Sequence, residues 1–236
     1  MFLWSTTYFL YMIPAFLLVM LAQIWVNSTY RKWSQVRNLN NISGAEAAKR
    51  LLGFGGLYEV ELEAAPGRLG DHYDPRSRKL RLSPGVAQGQ SVASLAIAAH
   101  EIGHAVQDNE AYAPLRFRAA LVPAVNLGSR LGLILLIIGL FLGGTLGTQM
   151  AWIGVAAFGL GAVFALATLP VELNASARAR TLLTDSGFIR SEEEQRGVNA
   201  VLNAAAFTYV AALAAAILQL LYWVSLVGGM GGRRRS

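Results

Sequence analysis

Long apolar segments without a charged residue alternate with polar, charged segments along the chain. No Asp, Glu, Lys or Arg occurs in residues 1–30, 131–171 or 197–232. A helix needs about 20 apolar residues to cross the hydrocarbon core of a bilayer. The pattern therefore predicts an integral membrane protein with about four transmembrane helices. We place one at Phe2–Val26, two in a hairpin over Leu131–Leu169, and one at about Ala204–Gly228.

The breaks between these helices also follow from the pattern. Residues 143–148, rich in Gly and Thr, predict the turn of the hairpin. The first apolar segment has no basic residues before it and no clear small-residue cleavage site. We therefore expect a retained anchor and not a cleaved signal peptide.

The polar segment after the first apolar stretch has a mixed α and β pattern. Residues 43–46 read Ser-Gly-Ala-Glu, a capping box that predicts a short helix. Leu57–Leu62 alternates and predicts a strand, and Asp71–Tyr73 and Lys79–Leu82 predict a hairpin around a turn that contains proline. The leucines of Lys79–Leu82 face one way and its basic residues the other. We expect it to be an unpaired edge that receives a substrate strand, or else part of a small sheet that only packs against a helix.

The most specific chemical pattern lies at residues 100–104, which read His-Glu-Ile-Gly-His. Strong helix formers precede it behind a Ser N-cap, and residues at i and i+4 share one helix face. Two imidazoles so placed bind one Zn²⁺, and Glu101 can act as general base toward a zinc-activated water. The pattern predicts hydrolysis of peptide bonds. The alternative is two histidines in ordinary hydrogen bonds, but Glu101 and the small Gly103, which lets another backbone approach, favour zinc.

A hydrolytic zinc usually has three protein ligands and an open position for water. The best candidate for the third is Glu172, because Pro170 ends an apolar stretch and a new helix can begin there. Of the other glutamates after the motif, Glu110 is too near the zinc helix and Glu192–Glu194 form a run that we expect to be solvated. The alternative for Glu172 is a helix-start glutamate stabilised by the helix dipole.

Two further residues are candidates for catalysis. His72 could orient the substrate, stabilise the oxyanion or replace Glu172 as a ligand, but a histidine in a strand is also a common structural residue. Arg178 follows Glu172 closely enough to hold a carboxylate or stabilise developing negative charge. Its alternative is snorkelling to lipid headgroups.

Composition limits the partners and the compartment. The chain has no cysteine, which excludes disulfides and thiol chemistry. Its formal net charge is +6, but the basic residues flank membrane segments and lack an aromatic platform for bases. We therefore expect contacts with lipid headgroups, no nucleic acid, and protein or peptide substrates near the membrane. The sequence leaves the oligomeric state open.

The basic residues near the predicted transmembrane helices all fall on one side. They are Arg31, Lys32, Arg37, Arg116, Arg118, Arg130, Arg178, Arg180, Arg190 and Arg196. The positive-inside rule then places the active site on the cytoplasmic face of the cell membrane. The tail Arg233–Arg235 disagrees with this orientation, because four crossings put it on the opposite side.

Four blocks of residues resemble the bacterial YugP-like membrane zinc metallopeptidases. They are residues 71–75 (Asp-His-Tyr-Asp-Pro), 80–83 (Leu-Arg-Leu-Ser), 98–105 (Ala-Ala-His-Glu-Ile-Gly-His-Ala) and 170–172 (Pro-Val-Glu). The resemblance covers most of the chain. It implies a gluzincin-type site in which His100, His104 and Glu172 bind zinc and Glu101 is the base.

The chain is more distantly similar to the HtpX and CAAX-prenyl-protease clan. In that clan the glutamate ligand is usually followed by Ala-Asp, whereas here Ala175 is followed by Ser176. The aspartate that would orient a zinc-bound histidine is missing, so we expect the residues around the ligands to be arranged differently.

The sequence thus predicts an α-helical multi-pass membrane protein with a small α+β zincin-like catalytic segment. The predicted parts are an anchor (1–27), the catalytic segment (28–130), the hairpin (131–169), a helical segment with the third ligand (170–200) and a C-terminal helix with a basic tail (201–236). We expect a membrane-embedded zinc endopeptidase. The alternative is a protease-like scaffold with structural zinc, which would have no need of Glu101. A metal transporter ranks last, because its helices would carry polar groups.

Overall fold

The computed structural model describes residues 5–67 and 70–232, which form seven helices and three short strands. The helices are α1 (Thr6–Ser34), α2 (Gly44–Phe54), α3 (Pro84–Gln88), α4 (Val92–Asn109), α5 (Ala113–Leu142), α6 (Gly144–Asp185) and α7 (Glu192–Gly232). The strands are β1 (Glu61–Ala64), β2 (His72–Asp74) and β3 (Lys79–Leu82). The basic tail Arg233–Arg235 and the first residues of the predicted anchor, Phe2–Trp4, lie outside the described residues.

Four of the described helices, α1, α5, α6 and α7, are long and apolar enough to cross a membrane. The prediction of a multi-pass helical membrane protein with a small α+β segment is therefore confirmed. Helix α5 begins at Ala113, well before the charge-free segment that starts at residue 131. Pro114 lies in its first turn, where the missing N–H would have had no helical partner.

The chain divides into two compact units, which we call the apolar unit and the polar unit. The apolar unit consists of Met1–Leu21, Arg116–Leu169 and Tyr209–Ser236, and the polar unit of Ala22–Leu115 and Pro170–Thr208.

Glycines pack the α5–α6 hairpin of the apolar unit. An added Cβ at Gly139 would lie 2.5 Å from the backbone N of Ala151, and one at Gly154 would lie 2.6 Å from the backbone N of Leu136. Such contacts leave no room for a side chain, so the two backbones touch directly. The hairpin turns at Gly143 and Gly144, both with positive φ, at the start of the range predicted for the turn, and residues 145–148 already belong to α6.

The sheet of the polar unit has the order β1-β3-β2, with β1 parallel and β2 antiparallel to β3. The prediction of β3 as an unpaired edge was wrong, because β1 occupies that edge. The edges of the described sheet are β1 and β2. Leu80 and Leu82 of β3 are buried, while Lys79 and Arg81 on its other face bond Glu63, as the alternation predicted.

The strand predicted over Leu57–Leu62 was wrong at its start. Gly56 has a φ of +68°, and the N–H of Leu57 donates to the carbonyl of Leu52 at 2.9 Å. These features belong to the C-terminal end of α2. The chain is therefore free to extend only later, and β1 begins at Glu61.

Side-chain caps begin the two helices that form the core of the polar unit. The Ser43 hydroxyl accepts the N–H of Glu46 at the start of α2, and the Ser91 hydroxyl accepts the N–H of Ser94 at the start of α4. Both caps agree with the sequence. Helix α4 is largely buried, and Ile102 on it has no exposed surface.

Two predictions about the later helices were wrong. No helix begins after Pro170, because α6 runs through it without interruption. Proline is tolerated in long apolar helices when the freed backbone group is satisfied locally. Glu194 is not solvated: it is 3% exposed and accepts the N–H groups of Leu39 and Arg190, each at 2.8 Å. These bonds fix the start of α7 against the loop after α1.

Candidate active site

Gly103 allows the backbones of α4 and α6 to touch. An added Cβ at Gly103 would lie 2.4 Å from the carbonyl oxygen of Ala175. Ala175 itself is fully buried. This approach, predicted for Gly103, places the turn of α6 that carries Glu172 and Ser176 beside the histidine face of α4.

Three of the predicted residues come together at this contact. The ligand atoms of His100, His104 and Glu172 all lie within 4.8 Å of one another. The Nε2 atoms of the two histidines lie 3.3 and 3.4 Å from the same Oε2 of Glu172. The Glu172 side chain is 3% exposed, so its carboxylate is directed into the protein and toward the two rings.

Two buried side chains orient the imidazoles from behind. The hydroxyl of Ser176 lies 3.2 Å from Nδ1 of His100, and Oε1 of Gln107 lies 3.0 Å from Nδ1 of His104. With an oxygen at each Nδ1, the Nε2 atoms remain available for a metal. Ser176 thus contacts His100 from the position that carries no aspartate in this chain. Sequence reasoning missed both roles, although the spacing of Gln107 from His104 on one helix face was a usable signal.

The carboxylate of Glu101 lies against strand β2. The backbone N–H of Tyr73 donates to Oε2 of Glu101 at 3.1 Å, and the Tyr73 hydroxyl donates to Oδ2 of Asp108 at 2.9 Å. Burial raises the pKa of Glu101 above its ordinary value, although the nearby His100 and His104 oppose this effect. A carboxylate with a raised pKa is a better proton acceptor at neutral pH.

The other two predicted catalytic residues do not enter the group. His72 is exposed on β2, with Nδ1 2.7 Å from the carbonyl of Gly70 and Nε2 3.3 Å from the guanidinium of Arg81. Among the described residues, the candidate metal group contains only His100, His104 and Glu172.

Arg178 reaches the site only through other side chains. It donates to Oδ1 of Asn174 at 2.7 Å and to Glu110 at 2.6 Å. Asn174 Oδ1 also accepts Nε2 of Gln107 at 2.9 Å, and Gln107 bonds His104. Arg178 is therefore connected to the imidazole through two intermediate residues.

The three converging side chains fit a zinc ion. Two imidazole nitrogens and one carboxylate form a donor set of catalytic zinc sites. Burial alone would lower the pKa of His104, but its bond to Glu172 and the charge of Glu101 outweigh burial and raise that pKa. The carboxylates beside His100 and His104 therefore favour a positive charge between the two imidazole rings, and a divalent cation supplies one.

Comparisons with known proteins agree with this chemistry. The model of a family described as "Putative neutral zinc metallopeptidase" matches residues 8–228. A protein of Bacillus subtilis (strain 168) described as "Putative membrane protease YugP" is 42% identical over 205 residues, which cover 87% of this chain and 89% of that protein. No solved structure matches the chain.

Proposed function

We propose that this chain, which belongs to the neutral zinc metallopeptidase family described above, is a membrane zinc endopeptidase with Glu101 as its general base. The observation that carries the proposal is the convergence of His100 and His104 on α4 with Glu172 on α6. These three residues would hold zinc, which when bound supplies a Lewis acid and lowers the pKa of water.

The protein's own residues then perform the proton transfers. Glu101, held by the Tyr73 N–H, takes a proton from the attacking water and passes it to the departing amine. Its raised pKa suits both steps, because the group must accept the proton and then release it. Ser176 and Gln107 keep the imidazoles turned toward the metal position. In this proposal neither His72 nor Arg178 contacts the reacting atoms.

The substrate backbone adds to strand β2. This strand is an edge of the described sheet, and on the side away from β3 the Tyr73 N–H already bonds Glu101. The Tyr73 carbonyl faces the same way in an antiparallel pair, so it is the group that would accept a backbone N–H of the substrate. An extended peptide can pair with such an edge through backbone hydrogen bonds. A folded domain or an intact transmembrane helix cannot, so we propose that the substrates are unfolded segments close to the membrane.

We further propose that the site faces the cytoplasm, as the basic residues beside the predicted transmembrane helices indicate. The test uses single cysteines at Gln88 in α3 and at Thr145 in the first turn of α6, both exposed. In intact cells an impermeant reagent should label only the cysteine at 145. Labelling of the cysteine at 88 would overturn the orientation.

The enzymatic proposal is tested with a reconstituted substrate that has one transmembrane helix and a flexible tail. The wild-type chain should cut the tail near the membrane. Glu101→Gln should retain zinc and cut about 10²–10⁴-fold more slowly, because the amide keeps the shape but cannot accept the proton. Near-normal cutting by Glu101→Gln would rule out the mechanism, and no cutting by wild type would favour the scaffold with structural zinc.

A further inference from the structure

A cleft of about 480 Å³ lies in the polar unit on the same face of α4 as Glu101. Ala105 and Asp108 line it, and both share a helix face with Glu101 at spacings of one and two turns. Tyr73 connects the two places, because its N–H bonds Glu101 and its hydroxyl bonds Asp108. The volume is in the range of ligand sites, about 300–1,000 Å³.

The walls of the cleft combine aromatic rings with carboxylates. Tyr58 is 84% exposed at the cleft, and Tyr73 is partly buried in it. Of the charged lining residues, Glu59 pairs with Arg78, so these two charges offset each other. Asp108 accepts only the Tyr73 hydroxyl, at Oδ2, and in the described part of the chain no hydrogen bond reaches its Oδ1. One negative charge therefore remains without a cationic partner among the described side chains.

From this cleft we infer that the substrate carries a lysine or arginine side chain, close to the bond that is cut, which Asp108 binds. The inference rests on the proposed peptidase function. The tyrosine rings cover the methylene groups and face of such a side chain, and the carboxylate accepts its N–H groups. A neutral side chain of equal length gains only the first of these contacts.

The distance along α4 sets where this residue lies in the substrate. Asp108 is two turns past Glu101, about 10 Å along the helix axis at 1.5 Å per residue. An extended peptide advances about 3.3 Å per residue, and a lysine or arginine side chain bridges much of the remaining distance. The basic residue therefore lies within about two positions of the scissile bond. Segments of membrane proteins next to the cytoplasmic face are enriched in Lys and Arg, which matches the substrates proposed above.

The test uses the purified full-length zinc enzyme and peptides that differ at one position, arginine against glutamine, moved along the sequence. We expect kcat/KM to be about 10-fold or more higher for arginine at one position near the cut. Asp108→Asn, which can still accept the Tyr73 hydroxyl, should abolish that ratio. Asp185→Asn, an exposed aspartate at the end of α6, is the matched control and should preserve it. An unchanged ratio in Asp108→Asn, or equal rates for both peptides in wild type, would overturn the inference.

A second pair of variants and a binding measurement separate this inference from the peptidase proposal. Tyr58→Ala should lower the arginine preference and Tyr58→Phe should retain it, since exposed Tyr58 contributes its ring and not a core contact. Binding of the same peptides to Glu101→Gln requires no cutting. Binding that depends on Asp108 without any hydrolysis by wild type would keep the cleft assignment and reject the peptidase. Hydrolysis by wild type without any preference for arginine would keep the peptidase proposal and reject the cleft assignment.

Discussion

The apolar unit and the polar unit bring helices together by the same means and with different results. In both units a glycine lets one helix backbone touch another: Gly139 approaches Ala151 in the apolar unit, and Gly103 approaches Ala175 in the polar unit. The apolar contact produces only a closely packed hairpin. The polar contact places Glu172 and Ser176 against two histidines. Close backbone packing is thus a general device, and the chemistry comes from the few polar side chains next to it.

The largest effect should come from removing the carboxylate that α6 contributes. Glu172→Ala leaves two imidazoles, too few for a stable catalytic zinc site, so bound zinc should fall from about one per chain to nearly none and activity should vanish with it. Metal analysis of the purified protein checks this. Glu193→Ala, at an exposed glutamate in the first turn of α7, should keep its zinc. Full zinc in Glu172→Ala would place the third ligand elsewhere and reject the proposed group.

A paired substitution tests whether the two glycine contacts differ as described. Gly103→Ala and Gly139→Ala each force a Cβ to within 2.4–2.5 Å of backbone atoms, so each should cost about 1–3 kcal/mol of stability. Only Gly103→Ala should also weaken zinc binding. Thermal unfolding and zinc titration measure the two effects. The control is Gly53→Ala, where the added Cβ meets no described atom within 4 Å. If Gly103→Ala and Gly139→Ala bound zinc with equal affinity, the α4–α6 contact would not be what positions the zinc ligands.

A smaller effect is expected from the side chain behind His104. Gln107→Met keeps the length of this fully buried residue but removes its bonds to His104, Asn174 and the carbonyl of Val171. Loss of such an orienting partner typically costs about 10–100-fold in metal affinity. Competition with a chelator measures it, and Gln88→Met at an exposed position is the control. Unchanged affinity would show that the ring of His104 is held without Gln107.

The smallest effect is that of acid pH on stability. It should arise in the polar unit, because no Asp or Glu lies in the segments of the apolar unit. In the β2–β3 turn the Ser77 hydroxyl and the Arg76 N–H lower the pKa of Asp74 from 3.8 to about 2. A carboxylate with a lowered pKa stabilises the fold at every pH above its ordinary pKa. This stabilisation is lost as the pH falls from about 4 to about 2. Asp74→Asn should therefore be less stable than wild type at about pH 6 and equal to it near pH 2. A stability difference that does not change with pH would contradict this assignment.

The sequence predicted the features that depend on neighbours along the chain. The apolar segments, the caps Ser43 and Ser91, and the turn at Gly143 and Gly144 all follow from local composition and backbone preference. The placement of His100 and His104 on one face follows from the period of the helix. These features need no knowledge of what packs against them.

The features that were wrong or missing depend on distant partners. The pairing of β1 with β3 left Lys79–Leu82 in the middle of the sheet, and nothing in the strand itself specifies its neighbour. Glu194 carries the same charge as its exposed neighbours, yet a bond from the N–H of Leu39, a residue far away in sequence, helps to hold it in the interior. Ser176 and Gln107 look like ordinary polar residues until α4 and α6 meet.

The division of the metal group between α4 and α6 also has a consequence for biosynthesis. His100 and Glu172 are 72 residues apart, and the whole of α5 and the apolar part of α6 lie between them. A ribosome therefore releases both histidines well before the carboxylate that completes the group. The nascent chain cannot assemble the group until the hairpin between the two positions has been translated. Chains that stall before residue 172 therefore carry both histidines but cannot form the group.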